Sequence, residues 1–177
     1  MLSMENEILI DKFDAIREQL DVAIELYFTS DCIVATHTLV AAAYNLLRDI
    51  SKQEGSEHPY LKTSFLDTLN EASRKKVIDW LNEPENYFKH ADRDLNKKLL
   101  FKPELTEIML MDACAYFKDS DKERPKNYNV FKGWVGKIKE DVPRDSIQYE
   151  FLEILRIAFK AGGKKKFWEM SNRISQG

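Results

Sequence analysis

The stretch DCIVATHTLVAAAYNLLRDISK, Asp31 to Lys52, decides the fold class. Ile33, Val34, Leu39, Val40, Ala42, Ala43, Leu46, Leu47 and Ile50 recur at helical intervals and surround more than one face. A helix of that kind needs neighbours on at least two sides, which makes it the predicted central element. Ala41 to Ala43 permit close approach by one of them. Gly55 supplies a left-handed C-cap, and Thr29-Ser30-Asp31 offers capping side chains at the start.

Outward from this element the same periodicity continues. Ile8, Phe13, Ile16, Leu20, Ala23, Ile24 and Tyr27 form one stripe on a helix from about Glu5 to Phe28, with Asp11, Asp14, Glu18 and Asp21 largely outside it. Residues Gln53 to Thr63 read as a loop, followed by short helices over Ser64–Leu69 and Ser73–Leu81. Asn82-Glu83-Pro84-Glu85 reads as an interruption and restart, with Asn82 as cap and Pro84 in a first turn. The restarted helix ends near Ala91. Pro103 opens another, to about Asp119, whose buried face is chosen from Leu105, Ile108, Met109, Met111 or Asp112, and Tyr116.

Composition changes after Lys118. Asp119 to Asn129 is polar and contains Pro125, which suggests an exposed connection. Beyond it come Phe131, Trp134, Val135 and Ile138, a turn around Pro143, a helix over Ser146–Ala161 stopped by Gly162-Gly163, and a last short helix over Lys164–Ile174. The expected fold is all-α: a bundle of about five helices over 1–119, and a C-terminal helical extension over 120–177 packed on it.

Bulk properties agree with that class. In 177 residues, Gly (6) and Pro (5) are too scarce for a turn-rich all-β, collagen-like or linker-type chain. Hydrophobic residues at 44% can build a core, while 27 basic against 30 acidic residues leave a net charge of −3. No apolar run approaches the roughly 18 residues of a membrane span, and the acidic start, MLSMENE, lacks signal-peptide character. The expectation is a cytoplasmic chain with no membrane partner and with Cys32 and Cys114 reduced. No Gly-x-Gly-x-x-Gly, Walker-type or Gly-x-Ser-x-Gly motif is present, and no cofactor is expected.

Charge is uneven. Residues 1–31 carry eight acids and two bases, whereas residues 156–177 carry six bases and one acid. The basic end reads first as a solvated face or as a partner for the acidic helix. Phe167 and Trp168 beside Lys164 to Lys166 read as pins holding the tail to the bundle rather than as base-stacking residues.

The densest group of potentially reactive side chains is Asn86-Tyr-Phe-Lys-His-Ala-Asp-Arg-Asp94. On a continuous helix Asn86, His90 and Arg93 or Asp94 share a face. An imidazole that titrates near neutrality can take a proton from a 2′-hydroxyl, and a neighbouring guanidinium can stabilise phosphate charge. His90, Asn86 and Arg93 are therefore the catalytic candidates, and Lys89, Arg93 and Lys97 the candidates for binding nucleic acid. A weaker alternative is a metal site that joins His37 of the central helix to His90 and Asp92 or Asp94. For His37 the simpler reading is a satisfied core histidine.

The segments Asp31–Leu39, Ala41–Asp49 and Asn86–Asp94 together resemble a family of small bacterial helical proteins, over roughly residues 8–118, with Lys-His-Ala-Asp-Arg-Asp as the most specific element. That resemblance implies no activity. More distantly the arrangement is similar to the HEPN superfamily of helical bundles. Many HEPN members dimerise and place an Arg, four to six residues and a His at the shared interface to cut RNA without metal. Here no Arg precedes His90 at that separation: Glu85 is the fifth residue back, and Asn86 is only four positions before His90. Two readings stand: a non-enzymatic, dimeric helical interaction module, motivated by the apolar faces of the central helix, or a protein that binds or cleaves RNA, or binds a nucleotide, around His90.

Overall fold

Asp11 starts the first helix. Its carboxylate accepts from the Asp14 amide at 2.7 Å, and the Asp14 carboxylate accepts from the Asp11 amide at 3.1 Å. This reciprocal capping box begins α1 (Lys12–Thr29) well after the expected Glu5. Ile8 consequently lies before the helix and is exposed, while Ile16, Leu20, Ala23 and Ile24 are fully buried as the stripe requires. The computed structural model describes residues 7–55, 59, 61–92, 95–135 and 162–173.

α2 (Ile33–Glu54) is the central rod. Gly55 closes it at φ +70°, where a Cβ would strain the backbone, and its amide donates to the Ser51 carbonyl. The expected caps at its start do something else. Thr29 and Ser30 hydroxyls donate backward to the Glu25 and Leu26 carbonyls at 2.7 and 3.0 Å, so they finish α1. Ser30 Oγ retains one weaker forward bond, from the Cys32 amide at 3.3 Å.

After the short α3 (Ser64–Asp67), α4 (Glu71–Lys89) runs without a break. Asn70 caps it by accepting from the Ser73 amide at 2.9 Å. The expected restart at residues 82–85 does not occur. Pro84 brings no N–H for the Trp80 carbonyl, but it is buried alongside Leu81, and this packing outweighs the missing bond. α5 (Glu104–Asp119) follows Pro103, and α6 (Tyr128–Val135) and a helical stretch over 162–173 complete the described elements. Gly163 sits in that stretch at φ +63°. The sequence features at Ile138, Pro143 and Ser146–Ala161 lie outside the described residues.

Side-chain pairs fix the helix directions. His37 meets Thr106 and Tyr44 meets Asp112, so α2 and α5 run parallel. His37 also meets Phe88, and Asn45 meets Glu85, so α4 runs antiparallel to α2. Phe13 stacks on Tyr116 and Tyr27 bonds Glu107, which makes α1 antiparallel to α5 and therefore to α2. From Thr36 onward the apolar faces of α2 are covered by α1, α4 and α5 of the same chain, whereas Ile33 and Val34 in its first turn are exposed, against the expectation that they be buried. Tyr44, Leu47, Met109, Leu110 and Phe117 form the middle of the core. Each such side chain contributes about 1.5–3 kcal/mol by leaving water.

A second group of rings gathers where α1 ends. Phe28 lies 5.6 Å from Trp134, 5.8 Å from Phe167 and 5.5 Å from Trp168. The tail aromatics therefore pin the helical stretch over 162–173 to α1, as their sequence suggested. The polar connection over 120–127 contains no helix, yet it is not a free linker. Pro125 is buried, the Asn127 amide donates to Asp21 Oδ1 at 2.8 Å, and Asn127 Nδ2 donates to the Asp21 carbonyl at 3.1 Å.

Candidate functional site

α4 ends in the residues that the sequence singled out. Lys89 is its last helical residue, and His90 leaves the helix with extended backbone while its amide still donates to the Asn86 carbonyl at 3.0 Å. The chain then returns along α4. Tyr87 Oη donates to the Lys97 carbonyl at 2.5 Å, and Lys97 Nζ pairs with Glu83 at 2.9 Å. Along this part of α4, and reaching His90 and Asp92 just past its end, lies an open cleft of about 780 Å³. Asn86, His90 and Asp92 line it together with Trp80, Tyr87 and Asn82, and Asp79 and Glu83 add two further carboxylates.

The cleft gathers only part of the expected set. Asn86, His90 and Asp92 share it, and Lys97 is tied to its wall through Glu83. Lys89 is held by a different partner, Glu85, at 2.7 Å. Arg93 and Asp94 lie outside the described residues. Since the helix stops at Lys89, the continuous-helix geometry that would align residue 93 with Asn86 and His90 does not exist. The carboxylates of Asp79, Glu83 and Asp92 give the described lining an acidic character. Such groups accept hydrogen bonds from hydroxyl and amino groups.

His37 occupies another environment. It is fully buried, with Nδ1 3.0 Å from Thr106 Oγ1 and its ring 5.8 Å from Phe88 and 4.9 Å from Phe101. Burial pushes its pKa down to about 4, with Glu85 opposing the shift and Lys62 adding to it. Nε2 has no hydrogen-bond partner among the described residues. Among those residues no three His, Cys, Asp or Glu side chains come together to hold a metal ion, so His37, His90 and Asp92 do not form the weaker alternative site.

Sequence reasoning missed a buried polar network that lies between α2 and α4. Lys62 Nζ donates to Asn45 Oδ1 at 3.2 Å and stands 3.6 Å from Glu85 Oε2, while Glu85 Oε1 accepts from both Asn45 Nδ2 and Lys89 at 2.7 Å. Burial works to raise the Glu85 pKa, but the bonds from Lys89 and Asn45 and the Lys62 charge outweigh it and hold the carboxyl below its usual value. Burial lowers the Lys62 pKa, against the pull of Glu85. Beside this network Tyr44 Oη donates to Asp112 at 2.5 Å, and the same carboxylate accepts from the Leu61 amide at 2.8 Å. Asn45, set within the apolar central helix, was the available signal; Lys62, in a stretch read as loop, offered none.

No protein-family model matches the chain, no curated protein matches its sequence, and no solved structure matches its fold. No described helix is long and apolar enough to cross a membrane.

Proposed function

We propose that the chain is a non-enzymatic helical interaction module of the cytoplasm whose partner is a second copy of itself. The outward face of α5 carries this reading. The helix reaches α1 through Glu107 and α2 through Thr106 and Asp112. Ile108 and Met111, three residues apart on the side away from the core, remain 42% and 41% exposed, and Leu100 just before the helix is 92% exposed. Single exposed apolar side chains are ordinary, whereas a helix whose other sides are already used and that still presents such a pair offers an interface. The distant resemblance to dimeric HEPN bundles supports the same assembly, and the two free cysteines suit a reducing compartment. Sedimentation velocity at micromolar concentration should give a dimer. A single monomeric species would overturn the proposal.

One observation favours a second reading, an RNA-directed role. The cleft sets Asn86 and His90 beside Trp80, a large ring left 46% exposed that could stack on a base. Purified protein incubated with mixed RNA, beside a His90→Ala variant, tests it. Equal or absent cleavage in both samples removes the nuclease version, and undetectable or salt-insensitive affinity removes the binding version.

A further inference from the structure

Four cationic side chains converge on one small recess that borders the His90 cleft at Asn82. Arg48 and Lys52 stand one turn apart near the end of α2, Lys62 enters from the turn before α3, and Arg74 comes from the first turns of α4. With Leu66, Ile78 and Asn82 they line a half-open hollow of about 140 Å³. No described carboxylate lines it. The acids that pair with these charges are not among the lining residues: Asp49 on Arg48 at 2.9 Å, Asp67 on Arg74 at 3.3 Å, and Glu85 on Lys62 at 3.6 Å. Lys62 is the unusual member, because its side chain is only 5% exposed.

Three of these cations already have a carboxylate partner, but none of those carboxylates lines the hollow, so an anion that enters it meets four cationic side chains at once. Burial and the Arg48 charge both lower the pKa of the Lys62 ammonium. Size narrows the choice of anion. The hollow is several times the roughly 30 Å³ share of one water molecule, and smaller than the roughly 300 Å³ at which sites for whole drug-sized ligands begin. It admits a tetrahedral oxyanion and excludes a nucleoside. Guanidinium forks from Arg48 and Arg74 suit phosphate oxygens, and Lys62 supplies a buried point charge.

We propose that this recess binds a phosphoryl group, supplied as inorganic phosphate or as the terminus of a phosphomonoester. Asn82 lines both the recess and the His90 cleft, so the two lie next to each other on α4. Both sources present the same phosphoryl group to the recess. The site is independent of the dimer face on α5, so loss of either leaves the other intact.

Calorimetric titration of the full-length protein at low salt tests the assignment, with inorganic phosphate and adenosine 5′-monophosphate in separate arms. One saturable site per chain is expected, with at least tenfold weaker affinity in Arg48→Gln and Arg74→Gln. Those two side chains are partly exposed, so the variants should fold even if the buried substitution Lys62→Met does not. Tighter binding of the nucleotide identifies the ester as the source, and equal or weaker binding identifies free phosphate. No saturable heat at millimolar ligand, or affinity unchanged in both arginine variants, overturns the site.

Discussion

Thr106 on α5 meets His37 on α2 through a 3.0 Å contact between its hydroxyl oxygen and the imidazole Nδ1, in a part of the core closed by Phe88 and Phe101. Because burial lowers the His37 pKa to about 4 from an ordinary 6.5, the unfolded chain takes up this proton first as pH falls. The contribution is complete above the unfolded pKa and is lost as pH drops from 6.5 toward 4. Urea unfolding at pH 7 and pH 5 should show wild type losing on the order of 2 kcal/mol more than a His37→Gln variant. An identical pH response in both proteins would mean that His37 is protonated within the fold.

The Tyr44–Asp112 bond ties α2 to α5 and, through the Leu61 amide, to the chain before α3. Tyr44→Phe keeps the ring and removes the hydroxyl, which also accepts from the Lys62 amide. A loss of about 1.5–3 kcal/mol is expected for a buried bond to a charged group. Chemical denaturation measures it, and a change under a few tenths of a kcal/mol would contradict the bond.

Phe28 joins α1 to α6 and to the stretch over 162–173. Phe28→Ala should destabilise the protein by about 3–5 kcal/mol. Tryptophan emission should shift to the red below the main unfolding transition, because Trp134 and Trp168 both pack on that ring. Unchanged emission before global unfolding would show that the tail docks without it.

Thiol reactivity separates the two cysteines. Cys32 is exposed, whereas Cys114 is buried and its pKa is pushed up to about 12, by burial first and then by the Asp21 charge. A disulfide reagent should modify one thiol per native chain and the second only on unfolding. Two fast thiols in the native protein would show that the core around Cys114 opens readily.

The all-α class was legible in the sequence because α2 advertises it: an apolar pattern on several faces, closed by Gly55. The burial of His37 was legible for the same reason, as it lies in line with Ile33, Val40, Ala41 and Tyr44, of which all but Ile33 are buried. Local signals misled where tertiary packing overrode them. Pro84 after Asn82 mimics a helix start, but burial of its ring carries α4 straight through. Thr29 and Ser30 look like caps for α2, but carbonyls one turn behind are nearer than amides ahead. The recess and the Lys62–Glu85 pair were invisible, since Arg48, Lys62, Arg74 and Glu85 come from separate segments whose approach no local pattern encodes. The His90 cleft fell between these cases: its residues adjoin in sequence, but its acidic walls arise from the turn-by-turn spacing of Asp79 and Glu83 along a helix predicted to be broken.

The measurement that bears most directly on the central claim is the solution mass of the wild-type chain beside an Ile108→Lys, Met111→Lys variant, by light scattering at one micromolar-range concentration. The account predicts twice the 20.7 kDa chain mass for wild type and the single-chain mass for the variant, with helical content unchanged. A wild-type monomer, or a dimer that survives both substitutions, would contradict the assignment of α5 as the shared face.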